Sequence, residues 1–595
     1  MQTISQLLTQ KFTDAFLDAG INENTPIILT EASRPEFGDF QVNGVMAAAK
    51  VLKTNPRDLA TKVIKHLDLS SMADKVEIAG PGFINITLNN EFLSKFLGEL
   101  TPQNKFGAKL DKSQTIVVDL SAPNLAKEMH VGHLRSTVIG DSLARVFAYM
   151  GNNVIRQNHV GDWGTQFGML IAYMQEKNAN TNDQAESFAI VDLEQFYREA
   201  KIKFDADPQF ANKAREYVVK LQSSDKTILH YWELFTQESQ KHCDLIYDKL
   251  KINLGSNKSG GHYFANGQEY TVLSQCGESF YNEQLPDIIN RLEKANLITI
   301  SEGAKCVFFA PGELPGGEDT PFIVQKQDGG YLYASTDLAA IDYRVNTLLA
   351  DKIVYVVDAR QSLHFKQLFI VGRKAGLAKM ETELIHSAFG TMMNEDGRPF
   401  KTRDGGTVKL IDLIDEAILK ASALVKGLNP DWDEKSRNEL AEVLAISAVK
   451  YADLSKNRTS DYIFSFEKML AFDGNTAPYL LYAYTRIQGV LRKANDINLS
   501  PGTIIPIEFS EHKLALHLAK FSETLLATTK ECYPHYLCQY LYNLSGLFMQ
   551  FYELCPILGA DSLSKQQSRL GLALLTAQIL YDGLDLLGIS TVDRM

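Results

Sequence analysis

The opening stretch MQTISQLLTQKFTDAF spaces its apolar residues at the helical period with polar ones between, which predicts an amphipathic helix. After a Pro/Gly-marked segment, RPEFGDFQVNGVMAAAK, a further helix follows, and VEIAGPGFINITLN then alternates like strand on both sides of a Pro-Gly turn. With a linker near TPQNKFGAK, these elements make residues 1–112 a small α+β unit. Next, TIVVDLSAPN is a short apolar run that ends in a turn signal. The helix behind it carries Leu134, Val138, Leu143, Val146, Phe147 and Met150 on one stripe. Gly151 stands where a helix C-cap belongs, and NVIRQNHVGDWG reads as a second strand. Strand, helix and strand in so short a stretch imply parallel pairing and a doubly wound, Rossmann-like sheet, in which ligands sit beyond the carboxyl ends of the strands.

From about 180 to 325 the pattern turns mostly helical and more polar, as expected of an insertion in the sheet. Sheet-like text resumes in GGYLYASTDLAAIDYR and DKIVYVVDARQSLHFKQLF. Beyond about 455 nearly everything has the helical period, through APYLLYAYTRIQGVLRKA and SRLGLALLTAQILYDGLDLLGI, which predicts a terminal all-α bundle. The expected architecture is α/β: an N-terminal α+β domain at 1–112, a doubly wound domain at 113–455 with its helical insertion at about 180–325, and a helical domain at 456–595.

Composition adds exclusions. At 595 residues the chain is too long for a single core, and 45% hydrophobic with 22% charged residues leaves no room for long disordered tracts. No apolar run approaches the roughly 20 residues of a membrane span, and the acidic, amphipathic N-terminus is unlike a secretory signal. A cytoplasmic protein with no membrane partner is expected. Six cysteines with no CxxC pair, the closest two being Cys532 and Cys538, argue against both a disulfide framework and a cysteine zinc site. The net charge of −12 discourages a nucleic-acid partner only at first sight. The first and last domains are each nearly neutral, and local patches rather than totals set the field a phosphate backbone meets.

The segment NLAKEMHVGHLRST places His130 and His133 three apart around Gly132, with His159 at the end of the next strand. A metal site is one reading, but neither HExxH nor a Cys/His cluster occurs. Two incidental helix-start histidines are another. A third is an anion site: the pair falls between a strand end and a helix N-terminus, where backbone N–H groups and the helix dipole favour phosphate and Gly132 permits close approach. Neither GxxxxGK[ST] nor GxGxxG occurs, so this loop is the candidate nucleotide site.

HVGH resembles the HIGH signature of class I aminoacyl-tRNA synthetases, and SAPNLAKEMHVGHLRST followed by NHVGDWGTQFGML is similar to arginyl-tRNA synthetases in particular. The resemblance extends over PGFINI, YLYASTDLAA, ARQSLHFKQLF, FKTRDGGTVKL and NTAPYLLYAYTRI, nearly the whole chain. It implies ATP-dependent activation of L-arginine, with Mg2+ carried by ATP and no structural metal, then transfer to tRNA by a monomer whose activation step requires tRNA. It implies that His130 and His133 contact ATP, with Gly132, His159, Gly161 and Asp162 lining the nucleotide cleft. A structural histidine is the rival for His159.

A guanidinium offers five donors in a plane and calls for paired carboxylates and flat aromatic contact. By resemblance Tyr333 and Asp337, four apart, match that pair, Glu278 is a third candidate, and Asp119, Asn124 and Gln361 match residues holding the amino-acid ends. Asp337 could otherwise be a helix N-cap. For tRNA, Phe83 and Asn85 in the N-terminal domain match positions that read an exposed base, a strand-core phenylalanine being the rival for Phe83. In the terminal bundle, an anticodon-binding module by resemblance, Tyr479, Tyr482 and Tyr484 stand near Arg486, some of them necessarily core. The chain departs from the family's second signature, KMSKS. The loop reads GRPFKTRDGGTVK, with Pro399 in place of the first lysine and Lys401 and Arg403 as nearby cations. Lys127 is the candidate for the missing charge, with a solvated lysine as its rival. Two other functions stay open: a related nucleotidyl transferase adenylating a small molecule without RNA, and a non-catalytic tRNA-binding paralogue.

Overall fold

The computed structural model describes all residues except 23, 181–192, 256–257, 266–267, 315, 317–319 and 401–407. Helix α1 (Ile4–Asp18) starts at a capping box between Thr3 and Gln6 and buries Leu8, Phe12 and Phe16. Strands β1 (Leu29–Glu31) and β2 (Phe40–Val42), helices α2 (Gly44–Leu52) and α3 (Pro56–His66), strands β3 (Ala73–Ala79) and β4 (Phe83–Leu88), and helix α4 (Asn90–Glu99) complete the first unit. Its sheet is antiparallel, in the order β1-β2-β4-β3, with the expected turn between β3 and β4.

The central unit begins with β5 (Thr115–Asp119), α5 (Gly132–Tyr149) and β6 (Asn153–Gln157). The expected stripe of α5 is buried from Leu134 to Met150, and Gly151 follows at φ 98°. Arg135, Ser136, Thr137 and Asp141 on the polar side of α5 are buried as well. After α6 (Thr165–Asn180) come the helices of the insertion, α7 (Leu193–Ala206), α8 (Pro208–Gln222) and α9 (Lys226–Lys249).

The second half of the insertion departs from the helical expectation. It holds an antiparallel hairpin, β7 (Ser259–Ala265) with β8 (Gln268–Leu273), then α10 (Leu285–Lys294) and a three-stranded sheet of β9 (Thr299–Ser301), β10 (Ala304–Val307) and β11 (Phe322–Gln325). GGYLYASTDLAAIDYR also differs from its sheet-like appearance. Leu332 is an extended N-cap, and Tyr333–Asp342 is helix α11, whose alanines favour helix and whose Leu338 and Ile341 are buried. Strand β12 (Lys352–Tyr355), helix α12 (Ser362–Lys374) and strand β13 (Glu383–His386) close the main sheet in the order β13-β12-β5-β6, all parallel. The register aligns His386, Tyr355, Asp119 and Gln157 in one row at the carboxyl ends.

Two short strands, β14 (Met392–Met393) and β15 (Tyr462–Ile463), pair in parallel across helices α13 (Leu410–Leu428) and α14 (Glu434–Leu454). The remainder is helical: α15 (Phe466–Met469), α16 (Ala477–Asp496), α17 (Phe509–Leu518), α18 (Phe521–Glu531), α19 (His535–Leu554) and α20 (Leu563–Leu586). Helix α5 packs on α14, α18 and α20, so its polar face meets the helical unit. There Arg135 pairs with Asp453 at 3.0 Å, both buried.

Candidate functional site

At the end of β5 the chain turns through Ser121 (φ 72°) and Ala122 (φ 49°), two consecutive non-glycine residues in the left-handed region. Asn124 then pairs with the loop after β6: Gly161 donates its N–H to the Pro123 carbonyl and accepts from Leu125 N–H, both at 3.0 Å. A Cβ on Gly161 would lie 2.4 Å from Asn124 Oδ1, so glycine is required there for packing against Asn124.

The imidazoles of His130 and His133 lie with ring centroids 4.0 Å apart. His130 N–H donates to His133 Nδ1 and Gly132 N–H donates to His130 Nδ1, each at 3.1 Å. With both Nδ1 atoms accepting, each neutral ring carries its proton on Nε2 and presents a donor. A Cβ on Gly132 would lie 2.8 Å from the His130 ring, so the glycine of the motif lets that ring fold back on the helix start. Burial, helped by Lys127 and Arg360, holds His130 below the usual imidazole range, and burial beside His130 and Lys127 pushes His133 down to about 3. A metal on Nε2 would have to displace that proton while Nδ1 stays engaged. Among the described residues no group of three His, Cys, Asp or Glu side chains is placed to hold a metal ion.

Around this pair the cations are already engaged. Lys127 stands 4.4 Å over the Tyr197 ring of α7, and Arg360 pairs with Asp358 at 2.7 Å. Lys409 pairs with Glu128 at 2.9 Å and bridges His130 in an antiparallel contact, which returns the second-signature loop to the first. Pro399 bridges Met393. Lys401 and Arg403 lie outside the described residues.

Beside the loop is a cluster of carboxylates and imidazoles. Asp337 lies in mid-α11, which removes the N-cap reading, and its Oδ2 meets His364 Nε2 at 2.6 Å while Oδ1 is 3.5 Å from His159 Nε2. Burial alone would raise Asp337, but the hydrogen bond and charge of His364, with His159 and Arg344, hold it below the usual carboxylate range. Burial, then the charges of Asp162 and Asp337, pushes Glu278 up to about 8. Tyr333 opens α11, is 59% exposed and stands edge-on to His364 at 4.9 Å. At the sheet edge Asp119 Oδ2 pairs with the fully buried Arg344 at 2.9 Å, whose Nε donates to Gln157 Oε1 at 2.7 Å. The other oxygen of Asp119 is buried and has no hydrogen-bond partner among the described residues. Gln361 is exposed at the start of α12.

Several expectations change here. Asp162 is 5% exposed, and Ser279 donates to both its oxygens, from N at 2.8 Å and Oγ at 2.6 Å. His159 faces Asp337 at 3.5 Å and packs on Tyr281, so it belongs to the carboxylate cluster rather than to the stacked pair His130 and His133. Asn85 is only 3% exposed and accepts from Gln41 Nε2 at 2.8 Å, so it is not free to read a base, whereas Phe83 is half-buried at the turn. Tyr484 is core. Tyr479 packs on Tyr542, and Arg486 lies 4.8 Å over Tyr552 and 5.8 Å from Tyr482, an aromatic patch between α16 and α19. Sequence reasoning did not single out His364, Arg344 or Ser279. His364 and Arg344 stand inside quoted strings, but no spacing marks them.

Residues 98–466 match the family tRNA synthetases class I (R), catalytic domain; residues 480–595 the DALR anticodon binding domain; and residues 2–88 the arginyl tRNA synthetase N terminal domain. The chain is 51% identical to the arginine--tRNA ligases of Hahella chejuensis and Laribacter hongkongensis, over the whole of each chain. Among solved structures it superposes on the arginyl-tRNA synthetase of Plasmodium falciparum with TM-score 0.83 and 29% identity, each covered fully. The Thermus thermophilus arginyl-tRNA synthetase, at TM-score 0.77 and 23% identity, shares the fold.

Proposed function

The chain belongs to the arginyl-tRNA synthetases, and from that premise we propose which of its residues carry out the reaction. The enzyme activates L-arginine with ATP and transfers the arginyl group to its tRNA. A nucleotidyl transferase acting without RNA finds no support, because the likeness runs through the anticodon-binding unit.

One observation carries the residue assignments. Asp337 and Glu278 form a carboxylate pair with no lysine or arginine at ion-pair distance among the described residues, beside a loop of two Nε2–H donors. The guanidinium enters between Asp337 and Glu278, against Tyr333, and the free oxygen of Asp119 takes the α-ammonium, with Asn124 and Gln361 at the same end. The α-carboxylate attacks the α-phosphorus of ATP and the bond to pyrophosphate breaks. His130 and His133 donate to phosphate oxygens as charge develops, which is catalysis by positioning and electrostatics. In the second step a hydroxyl of the terminal adenosine attacks the arginyl carbonyl and AMP leaves. Mg2+ fits as a companion of ATP: Glu128, two residues before His130, and Asp358 are already held by Lys409 and Arg360. We take 1–112, 113–455 and 456–595 as the three domains, with Phe83 on the tRNA elbow, Tyr479 and Arg486 on the anticodon arm, and the protein as a cytoplasmic monomer.

The test is ATP–pyrophosphate exchange with arginine, with and without tRNA. Exchange should require tRNA, because the free enzyme seldom visits the competent arrangement and RNA contacts on both flanking domains favour it. Robust exchange with arginine alone removes the tRNA requirement, and none under either condition removes the activity.

Lys127 is assigned to the leaving pyrophosphate. It lies close enough to His130 and His133 to depress both, and its ammonium rests 4.4 Å over the Tyr197 ring, a cation–π contact it leaves to meet the pyrophosphate. Lys127→Ala should slow adenylation at least about tenfold, since an interaction strengthening in the transition state acts on that step. Arginine affinity and transfer to tRNA should hardly change. Equal slowing of both steps in single-turnover measurements, or of neither, rejects the assignment.

A further inference from the structure

The turn that carries Asn124 away from the sheet is unfavourable by itself. Ser121 and Ala122 both sit at positive φ, a conformation that side chains with a Cβ adopt only when the surroundings over-determine it. What holds it comes from three elements. From α5, Ser136 Oγ accepts from Ser121 N–H at 2.9 Å and itself donates to the Val356 carbonyl. From the loop after β6, Asn158 Oδ1 accepts from Ala122 N–H at 2.9 Å. The third element is the inserted helix α9, whose fully buried Tyr247 puts its hydroxyl 2.8 Å from Ser121 Oγ and accepts from Asn158 Nδ2 at 2.9 Å.

Tyr247 therefore touches the turn itself, at Ser121 Oγ, and one of the two groups that grip it, Asn158. The connection continues towards the nucleotide: Thr137 Oγ1 is 2.9 Å from Ser121 Oγ and donates to the His133 carbonyl at 2.7 Å. Tyr247, Ser121, Thr137 and the His133 carbonyl form one hydrogen-bonded line from the insertion to the backbone that carries the His133 imidazole. A second line runs through Asn158, which donates its N–H to the Ser274 carbonyl and accepts from Cys276 N–H, two residues before Glu278. Burying a tyrosine hydroxyl is costly unless it is bonded, and among the described residues this one bonds the strained turn and Asn158.

We propose that Tyr247 is a positioning residue for arginine activation: its hydroxyl locks the left-handed pair Ser121–Ala122, so that Asn124 and the imidazoles of His130 and His133 are held in their reactive places. The idea rests on the assignments of Asn124 and the imidazole pair. Charging of tRNA by the unaltered enzyme tests the activity separately, and ratios between variants test Tyr247.

The decisive experiment uses Tyr247→Phe, Ala122→Gly and the double variant in the full-length enzyme. Phenylalanine keeps the ring and its packing and removes only the hydroxyl. Tyr247→Phe should lower kcat for tRNA-dependent pyrophosphate exchange at least about tenfold, in the range for losing a preorganised contact, while thermal unfolding stays near that of the parent. Ala122→Gly removes the penalty for positive φ at one of the two positions. In the Tyr247→Phe background it should restore kcat to within about threefold of the single Ala122→Gly variant, a rescue that general loosening of the core does not predict. Full activity of Tyr247→Phe overturns the proposal, and so does a double variant no better than Tyr247→Phe. If Tyr247→Phe is poorly folded, Tyr247→Trp and Tyr247→His repeat the comparison; failure of Ala122→Gly to improve any folded member of the set overturns it equally.

Discussion

Asp337→Asn should weaken arginine binding by roughly 2–5 kcal/mol, because a desolvated cation loses its charged partner, while the KM for ATP hardly changes. The substitution is nearly isosteric and keeps an oxygen for His364 Nε2, which now occupies Oδ2 at 2.6 Å. The amide nitrogen then takes the place of Oδ1 and turns donors towards a guanidinium that has only donors. An unchanged arginine KM sinks the assignment of Asp337. The same site predicts a pH effect of definite sign. Glu278, pushed to about 8, is largely protonated at neutral pH in the empty site, and a bound guanidinium favours its ionised form. Arginine should therefore bind more tightly as pH rises from about 6.5 to 8.5 and release a proton, read by titration calorimetry in buffers of different ionisation enthalpy. For folding the sign is opposite. A carboxyl whose folded value exceeds its ordinary 4.5 stabilises the empty protein at acid pH, and this contribution is lost as pH rises towards 8. Thermal protection by arginine should grow over that window; protection independent of pH, with no proton released, places Glu278 outside the pocket.

The parallel crossover was legible because short apolar runs around a striped helix admit few other folds, and β5, α5 and β6 follow it closely. Burial of the polar face of α5 was not legible. Periodicity identifies the face that meets the sheet, whereas Arg135 is covered by Asp453, more than 300 positions away. The hairpin β7–β8 was missed because it lies in polar text, and α11 looked like strand because its aromatic, apolar opening alternates before the alanines begin. At the site, the motif with fixed spacing, His130-Val131-Gly132-His133, was visible as a possible anion loop from its place alone. The proposed arginine pocket was visible only through likeness to a family. Its members come from η-turn Glu278–Gln284, α11, α12 and the loop after β6, and nothing in one sequence ties Asp337 to His364 or Asp162 to Ser279. Asp162 and His159 follow β6 in the sequence, yet their side chains turn to Ser279 and to Asp337, contacts that no spacing announces.

His130→Ala and His133→Ala should each slow adenylate formation by about one to three orders of magnitude, the range for removing a preorganised donor, with no zinc bound before or after. The two losses should not add, because the two rings pack directly on each other with centroids 4.0 Å apart, so removing one removes a wall that seats the other. Gly132→Ala should behave like His130→Ala, since the added Cβ would enter the space of the His130 ring. The depression of both imidazoles fixes a further outcome. With His133 at about 3, that ring gains no proton on going from pH 8 to 6, so the adenylation rate should show no step attributable to it near the ordinary imidazole value, and any step from His130 should fall below that value, because burial and the charges of Lys127 and Arg360 lower it. Each ring then serves as a neutral Nε2–H donor whose strength comes from burial and from the phosphate charge that appears in the transition state. Stoichiometric zinc lost together with activity in the alanine variants would reverse this assignment, because it would require the Nε2 atoms to be lone-pair ligands rather than donors.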